Sequence, residues 1–298
     1  MRRSLPLLLV LPPLLLPSPP LPSPGGTGGD LAAQESSRQA ETVHYVRYEV
    51  DGRRAYGILR GDEIHELDGH FLEGAQETGR TLQSSEVRLL APVEPSKVVA
   101  VGRNYLSHLG DREPTREPGL FAKYPTSIVG PGAAIVMPPD ADELHYEGEM
   151  VIVIGRRARN VPVERAHEHI FGVTAGNDVT ERTWQDRDLQ WLRAKASDTF
   201  GPIGPAVAVG LNYGDLLLET RVNGEVRQSE RTRDLIFDVP TIVSYVSRYV
   251  TLLPGDVIFT GTPGTTRALA PGDRVEVELE GVGTLRNGVV RRGGARDR

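Results

Sequence analysis

Residues 147–154, EGEMVIVI, constrain the fold of this chain more than any other stretch. Strand side chains alternate between faces, so Met150, Ile152 and Ile154 cover one side and Val151 and Val153 the other. Both faces are apolar, and a strand of that kind belongs inside a sheet covered on both sides. The same parity puts Glu147 and Glu149 on one face, with Gly148 opposite, at the mouth of the strand. Two adjacent ionised carboxylates that lose hydration cost several kcal/mol each unless something compensates them. A hard divalent cation would do so; so would arginines.

A third acid is within reach. GVTAGND reads as another buried strand that ends in Asn177 and Asp178. If the two strand ends meet, three carboxylates converge, a donor set that suits magnesium, manganese or calcium rather than zinc. The chain has no cysteine, which excludes disulfides and thiolate metal sites. The formal net charge is −6 with no basic stripe, so no nucleic-acid surface is expected.

Four segments are expected along the chain. Residues 1–41 combine two arginines, a short apolar run and Pro/Gly/Ser-rich sequence. The run is too short and too broken by proline for a membrane-spanning helix. The segment reads as an export signal or, failing that, as an unstructured leader. Residues 42–94 alternate apolar and polar positions, with Asp51-Gly52 as a hairpin turn. They read as a small antiparallel unit of three strands, then a polar stretch and a linker, VRLLAPVEPS. Residues 95–292 carry many short strands and a second hairpin turn at Asn223-Gly224. Two helical stretches are expected, VPVERAHEHI and VPTIVSYVSRYV. Regular βα alternation is missing, so a β-rich α+β domain is expected rather than a doubly wound sheet. Residues 293–298 are a tail. His167 and His169 are two apart in the first helical stretch, where they diverge, and read as a solvated face rather than a metal pair.

Eight stretches in order, VVAVGRNYLSHLGD, LFAKYPTSIVGPG, YEGEMVIVIGRRARNV, GVTAGNDVTER, RAKASDTFGPIGP, VNGEVRQ, LLPGDVIFTGTPGTT and VEVELEGVGTLRN, give the chain its likeness to a known family. From Lys97 to Asn287 it resembles the fumarylacetoacetate hydrolase family, and the unit before resembles the small amino-terminal domain of many members. The resemblance implies a mixed β-roll, a homodimer, and magnesium or manganese held by Glu147, Glu149 and Asp178. It implies an active-site lysine at Lys195, one of only three lysines against thirty-one arginines. His108 and Asp111 stand where many members have a histidine and a glutamate on a short helix over the site. Asp111 is one methylene shorter and could orient His108 if the segment is helical. Arg103, Tyr105, Lys123 and Gln185 fall at family positions near the pocket. In FTGTPGTT, backbone amides and the Thr262 hydroxyl could bind a substrate carboxylate; it is not a Walker loop.

The chemistry implied is hydrolytic C–C cleavage of an acylpyruvate-like 2-oxo acid through a metal-stabilised enolate, with Lys195 as a second positive charge and His108 activating water. Without that water the same site implies isomerisation or decarboxylation of 2-hydroxy-dienoate or oxaloacetate-like diacids. A member that only binds metal is the remaining reading.

Overall fold

The computed structural model describes residues 42–293, so the leader and nearly all of the tail lie outside the described residues. Strands β1 (Val43–Val50), β2 (Arg53–Arg60) and β3 (Glu63–Leu67) form the expected meander. Asp51 and Gly52 both have positive φ (51° and 73°), as a two-residue hairpin matched to strand twist requires. The polar stretch that follows contains a fourth strand, β4 (Glu77–Gln83), paired with β3. It is exposed along nearly its whole length, so no alternation marks it. The expected linker is partly built into the fold: β5 (Arg88–Leu89) pairs with β1, and Leu90, Ala91 and Val93 are buried.

The remaining elements are β6 (Val98–Gly102), α1 (Leu106–Leu109), β7 (Gly119–Lys123), β8 (Ile128–Val129), β9 (Ile135–Met137), β10 (Leu144–His145), β11 (Gly148–Ile154), β12 (Ile170–Asn177), β13 (Thr180–Glu181), α2 (Arg182–Arg187), α3 (Leu192–Ala196), β14 (Gly201–Val209), β15 (Leu217–Val222), β16 (Glu225–Arg231), α4 (Val239–Tyr249), β17 (Val257–Phe259), β18 (Arg274–Leu279) and β19 (Gly283–Arg291). The fold is β-rich with few, short helices, as expected. A twelve-stranded mixed sheet runs β4-β3-β2-β1-β14-β12-β11-β17-β6-β7, with β5 and β8 attached at its side. A five-stranded sheet runs β16-β15-β18-β19-β9, and β10 pairs with β13. The amino-terminal meander therefore shares a sheet with the rest: Val43 to Tyr45 pair with Val209 to Val207.

Strand β11 is buried at every position and hydrogen-bonded on both sides, to β12 and β17. Its two faces serve two cores, as strand parity requires. Met150, Ile152 and Ile154 pack with Leu218, Val275 and Val277 of the five-stranded sheet and with Ile242, Val243 and Val246 of α4. Val151 and Val153 pack with Val207, Phe259 and Phe71. Helix α4 starts where Asp238 accepts a hydrogen bond from the Thr241 amide (2.9 Å), with Pro240 in its first turn.

VPVERAHEHI is not an α-helix. Val163–His169 form a 3₁₀ helix, whose tighter winding still keeps residues two apart on different sides. His167 is exposed, and the His169 ring meets the Arg157 carbonyl at 3.1 Å. Among the described residues no helix is long and apolar enough to cross a membrane.

Candidate metal centre

The register of β11 against β12 pairs Gly148 with Asn177 and Glu149 with Gly176. Asp178 therefore falls just past the strand end, beside Glu147, whose carbonyl accepts the Asp178 amide at 2.8 Å. One ligand atom from each of Glu147, Glu149 and Asp178 lies within 4.8 Å of the others, and all three residues are at most 3% exposed. These are the two glutamates singled out from strand parity and the acid at the end of the second buried strand.

Cations surround two of them. Lys195 Nζ donates to Glu147 Oε2 (2.6 Å) and Asp178 Oδ2 (2.7 Å). Lys123 Nζ donates to Asp178 Oδ1 (2.6 Å) and to the Lys195 carbonyl. Arg182 donates to Glu147 Oε1, to Thr266 Oγ1 (2.9 Å) and to Gln185 Oε1 (2.8 Å). Burial opposes the Glu147 charge, yet Lys195 and then Arg182 hold its carboxyl below the ordinary range. Burial likewise works against the Lys195 charge, but Asp178 and Glu147 outweigh it and hold the ammonium above its usual value. Burial pushes the Lys123 amine down despite Asp178.

Glu149 differs. Among the described residues its side chain has one hydrogen-bond partner, the Gly261 amide, which donates to Oε2 at 2.7 Å. Burial, then the Asp178 and Glu147 charges, raise its carboxyl well above the ordinary range. Gly261 has φ +108°, and a Cβ there would meet the Asn104 Cβ at 2.7 Å, so only glycine can bring this amide to the acid. Three buried carboxylates, one of them lacking a cation, fit a hard divalent ion with oxygen preference. Loading that ion must displace the proton a raised pKa retains. Affinity is expected to rise with pH above the ordinary glutamate range, with about one proton released per ion. Calorimetry in buffers of different ionisation enthalpy measures it; pH-independent loading would contradict the raised pKa of Glu149.

The acids floor a cavity of about 240 Å³. Arg103, His108, Gln185, Lys195 and Thr262 also line it, as do Phe121, Arg182 and Trp191. Lys123 and Tyr105 are buried outside this lining. Among the described residues the Tyr105 hydroxyl has no hydrogen-bond partner, and burial followed by the Glu149 charge pushes it up. Thr262 Oγ1 donates to the Gly148 carbonyl (2.8 Å) and accepts from Gln228 Nε2 (2.8 Å). Its proton is committed to tying the loop to β11.

The structure does not bring Asp111 to His108. Helix α1 ends at Leu109, Gly110 turns the chain at φ 59°, and Asp111 is exposed with no polar partner among the described residues. The Gly264 carbonyl takes its place, 2.6 Å from His108 Nδ1. The Gly264 amide in turn donates to Ser107 Oγ (2.9 Å), so α1 and the Gly/Thr loop are strapped together. A carbonyl only accepts, so Nδ1 carries the hydrogen. The neutral ring then offers its lone pair at Nε2, which lies 3.9 Å from Glu147 Oε1.

Sequence reasoning passed over Arg182 and Gln228. Arg182 follows Asp178 by four residues, and the acid pair already demanded either a cation or arginines. Gln228 left no sequence signal, because its contacts to the Gly148 amide (3.0 Å) and Thr262 cross between sheets.

The profile of the fumarylacetoacetate (FAA) hydrolase C-terminal family matches residues 97–290, and that of the Rv2993c-like N-terminal family matches residues 43–92. The human protein named oxaloacetate tautomerase FAHD2A, mitochondrial, is 42% identical over 224 residues, 70% of this chain and 71% of its own. The crystal structure of 5-carboxymethyl-2-hydroxymuconate delta-isomerase from Mycobacterium smegmatis is 44% identical, with a TM-score of 0.80 over 84% of this chain and 100% of that one. A maleylpyruvate hydrolase from Sphingobium sp. SYK-6, solved with manganese(II) and pyruvate, is 28% identical, with a TM-score of 0.71 over the same shares.

Proposed function

The chain belongs to the fumarylacetoacetate hydrolase family of enzymes, and we propose that it interconverts the enol and keto forms of a 2-oxo acid, using magnesium or manganese held by Glu147, Glu149 and Asp178. The setting of His108 carries this reading. Its Nε2 lone pair lies on the Glu147 side of the ring, and the Gly264 carbonyl, not a carboxylate, holds the far nitrogen. A base of that kind can take a proton from one atom and hand one back at another, and a tautomerisation needs only that exchange between carbon and oxygen, with no activated water. It lacks the acidic partner that the hydrolytic pair anticipated from the sequence requires. The relatives named oxaloacetate tautomerase and delta-isomerase are also more similar to this chain than the maleylpyruvate hydrolase.

The dication supplies Lewis acidity toward the 2-oxo group. The chain's own residues do the rest. His108 Nε2 takes the proton from the carbon beside the carbonyl, and the oxygen gains one from the imidazolium so formed or from solvent; in the reverse direction the oxygen gives up its proton and the imidazolium protonates the carbon. Lys195 spends two N–H bonds fixing Glu147 and Asp178 and places a full positive charge where negative charge develops. Lys123 braces Lys195 and Asp178 from behind. Phe121 and Trp191 meet edge to face, with centroids 5.5 Å apart, and form an apolar wall against water.

The test is a direct assay with magnesium or manganese. The enol of a 2-oxo acid is expected to lose its ultraviolet absorbance faster than in buffer, and chelation should abolish the gain. Chromatography of an acylpyruvate reaction should show little cleavage. Rapid cleavage into two acids with no faster ketonisation would replace this reading with the hydrolytic one.

A further inference from the structure

One buried histidine beside the acids has no part in the chemistry above. His145 ends β10, two residues before Glu147. Its Nδ1 meets Thr266 Oγ1 at 2.8 Å, while Nε2 is buried with no hydrogen-bond partner among the described residues. Glu143 Oε1, 3.8 Å from Nε2, is beyond hydrogen-bond reach. Burying an imidazole with one nitrogen unpaired is unfavourable, and an apolar side chain would avoid that cost. The contact with Thr266 is the one hydrogen bond the ring makes among the described residues. Thr266 Oγ1 also accepts from Arg182 (2.9 Å), and Arg182 donates to Glu147 Oε1. A guanidinium only donates, so it fills one lone pair of the hydroxyl. The hydroxyl keeps its own hydrogen, and His145 Nδ1 is the acceptor beside it. The contacts therefore run from His145 through Thr266 and Arg182 to one of the three clustered acids. Backbone pairing fixes both ends of that run. β10 pairs with β13, which sets His145 opposite Thr180, and the Arg182 amide donates to the Glu143 carbonyl (2.9 Å). His145 also bridges to Ala268, and the Leu269 amide donates to the Leu144 carbonyl (2.7 Å), so Thr266 arrives on a loop held against the same strand.

We propose that His145 and Thr266 are positioning residues of the metal centre: the imidazole fixes the Thr266 hydroxyl, and the hydroxyl holds the Arg182 guanidinium on one oxygen of Glu147. This rests on a dication being held at Glu147, Glu149 and Asp178, as in the proposed function. Arg182 takes Oε1 of Glu147 and Lys195 takes Oε2, so the two cations together set the plane of the carboxylate. A carboxylate has about four lone-pair positions, so two such hydrogen bonds leave room for an ion. Lys195 is anchored a second time by Asp178. Arg182 depends on Gln185, which takes Nη1, and on Thr266, which takes Nη2. Nη2 is the nitrogen that also serves Glu147, so the Thr266 hydroxyl decides where it points. Without that hydroxyl Nη2 loses one of its two acceptors, and Glu147 can turn with it.

The experiment is calorimetric binding of manganese to the full chain. Thr266→Val exchanges only the hydroxyl for a methyl, and should weaken binding by roughly 10- to 100-fold, the usual effect of removing a group that orients a metal ligand. Thr266→Ser keeps the hydroxyl and should bind like the wild type. His145→Leu should weaken binding in the same direction, and His145→Asn, whose amide oxygen falls near the place of Nδ1, should restore part of it. In an Arg182→Gln background Thr266→Val should add nothing, because the two act through one contact. A residue that merely tied down the loop would lower the metal-free Tm and leave the Kd unchanged. Equal Kd in wild type and Thr266→Val, equal weakening in Thr266→Ser, or full additivity with Arg182→Gln overturns the proposal. A wild type that binds no manganese removes the ion from the proposed function and these positioning roles with it. If the variants behave as expected but no enol–keto conversion is seen, the positioning roles stand and the proposed reaction falls.

Discussion

Glu149→Gln is expected to abolish the response to divalent metal while leaving the metal-free protein at least as stable as the wild type at neutral pH. The two halves follow from one fact. Burial, then Asp178 and Glu147, raise this carboxyl above its ordinary value. A raised acid favours folding fully below its unfolded pKa, and that contribution is lost as pH rises through the folded pKa. At neutral pH an ionised Glu149 is therefore a liability without metal, and glutamine, a neutral isostere, removes it. With metal the liability becomes a ligand. A dication at a hundred times its Kd stabilises by about 2.7 kcal/mol. For a chain of this size that is roughly 5–10 °C in Tm, and the variant should show none of it. Loss of Lewis-acid stabilisation worth several kcal/mol should lower turnover about a thousandfold. Thermal scans with and without manganese read the first effect, and steady-state rates the second. A variant that still gains thermal stability from manganese would remove Glu149 from the ligand set.

His108→Ala should lower kcat by about 10²- to 10⁴-fold, the usual worth of a positioned base, while Asp111→Ala should stay within roughly twofold of wild type, as an exposed residue without partners does. The contrast separates two pictures of this site. In the one drawn from the sequence, a helical turn lets the acid orient the imidazole. In the structure the turn is broken by Gly110, and the Gly264 carbonyl orients it instead. Equal losses in both variants would restore the first picture. Manganese binding should persist in both, since neither residue is among the three clustered acids.

What could be read in advance was what depends on periodicity. The two faces of β11, the shared side of Glu147 and Glu149, and the hairpins at Asp51-Gly52 and Asn223-Gly224 follow from alternation and turn chemistry. Each was found where expected. Asp178 needed only the assumption that two buried strand ends meet. What stayed hidden depends on register or on contacts between elements. β4 is solvated on both faces and carries no pattern. Arg182 becomes a partner of Glu147 only once β11 and β12 are aligned. Asp111 looked useful because a three-residue spacing suggests a helix, and one glycine with positive φ ended it.

The pairing of β1 with β14 has a consequence for the chain's behaviour outside the site. β14 bonds directly to β12, the strand whose end supplies Asp178. Without the meander, Val207 to Val209 would present free amides and carbonyls, an open template for another molecule's strand. The first fifty described residues thus act as a cap on an adhesive rim. The outermost strand they expose in its place, ETGRTLQ, is charged and threonine-rich, poor material for cross-molecular stacking and a natural guard against fibrous association.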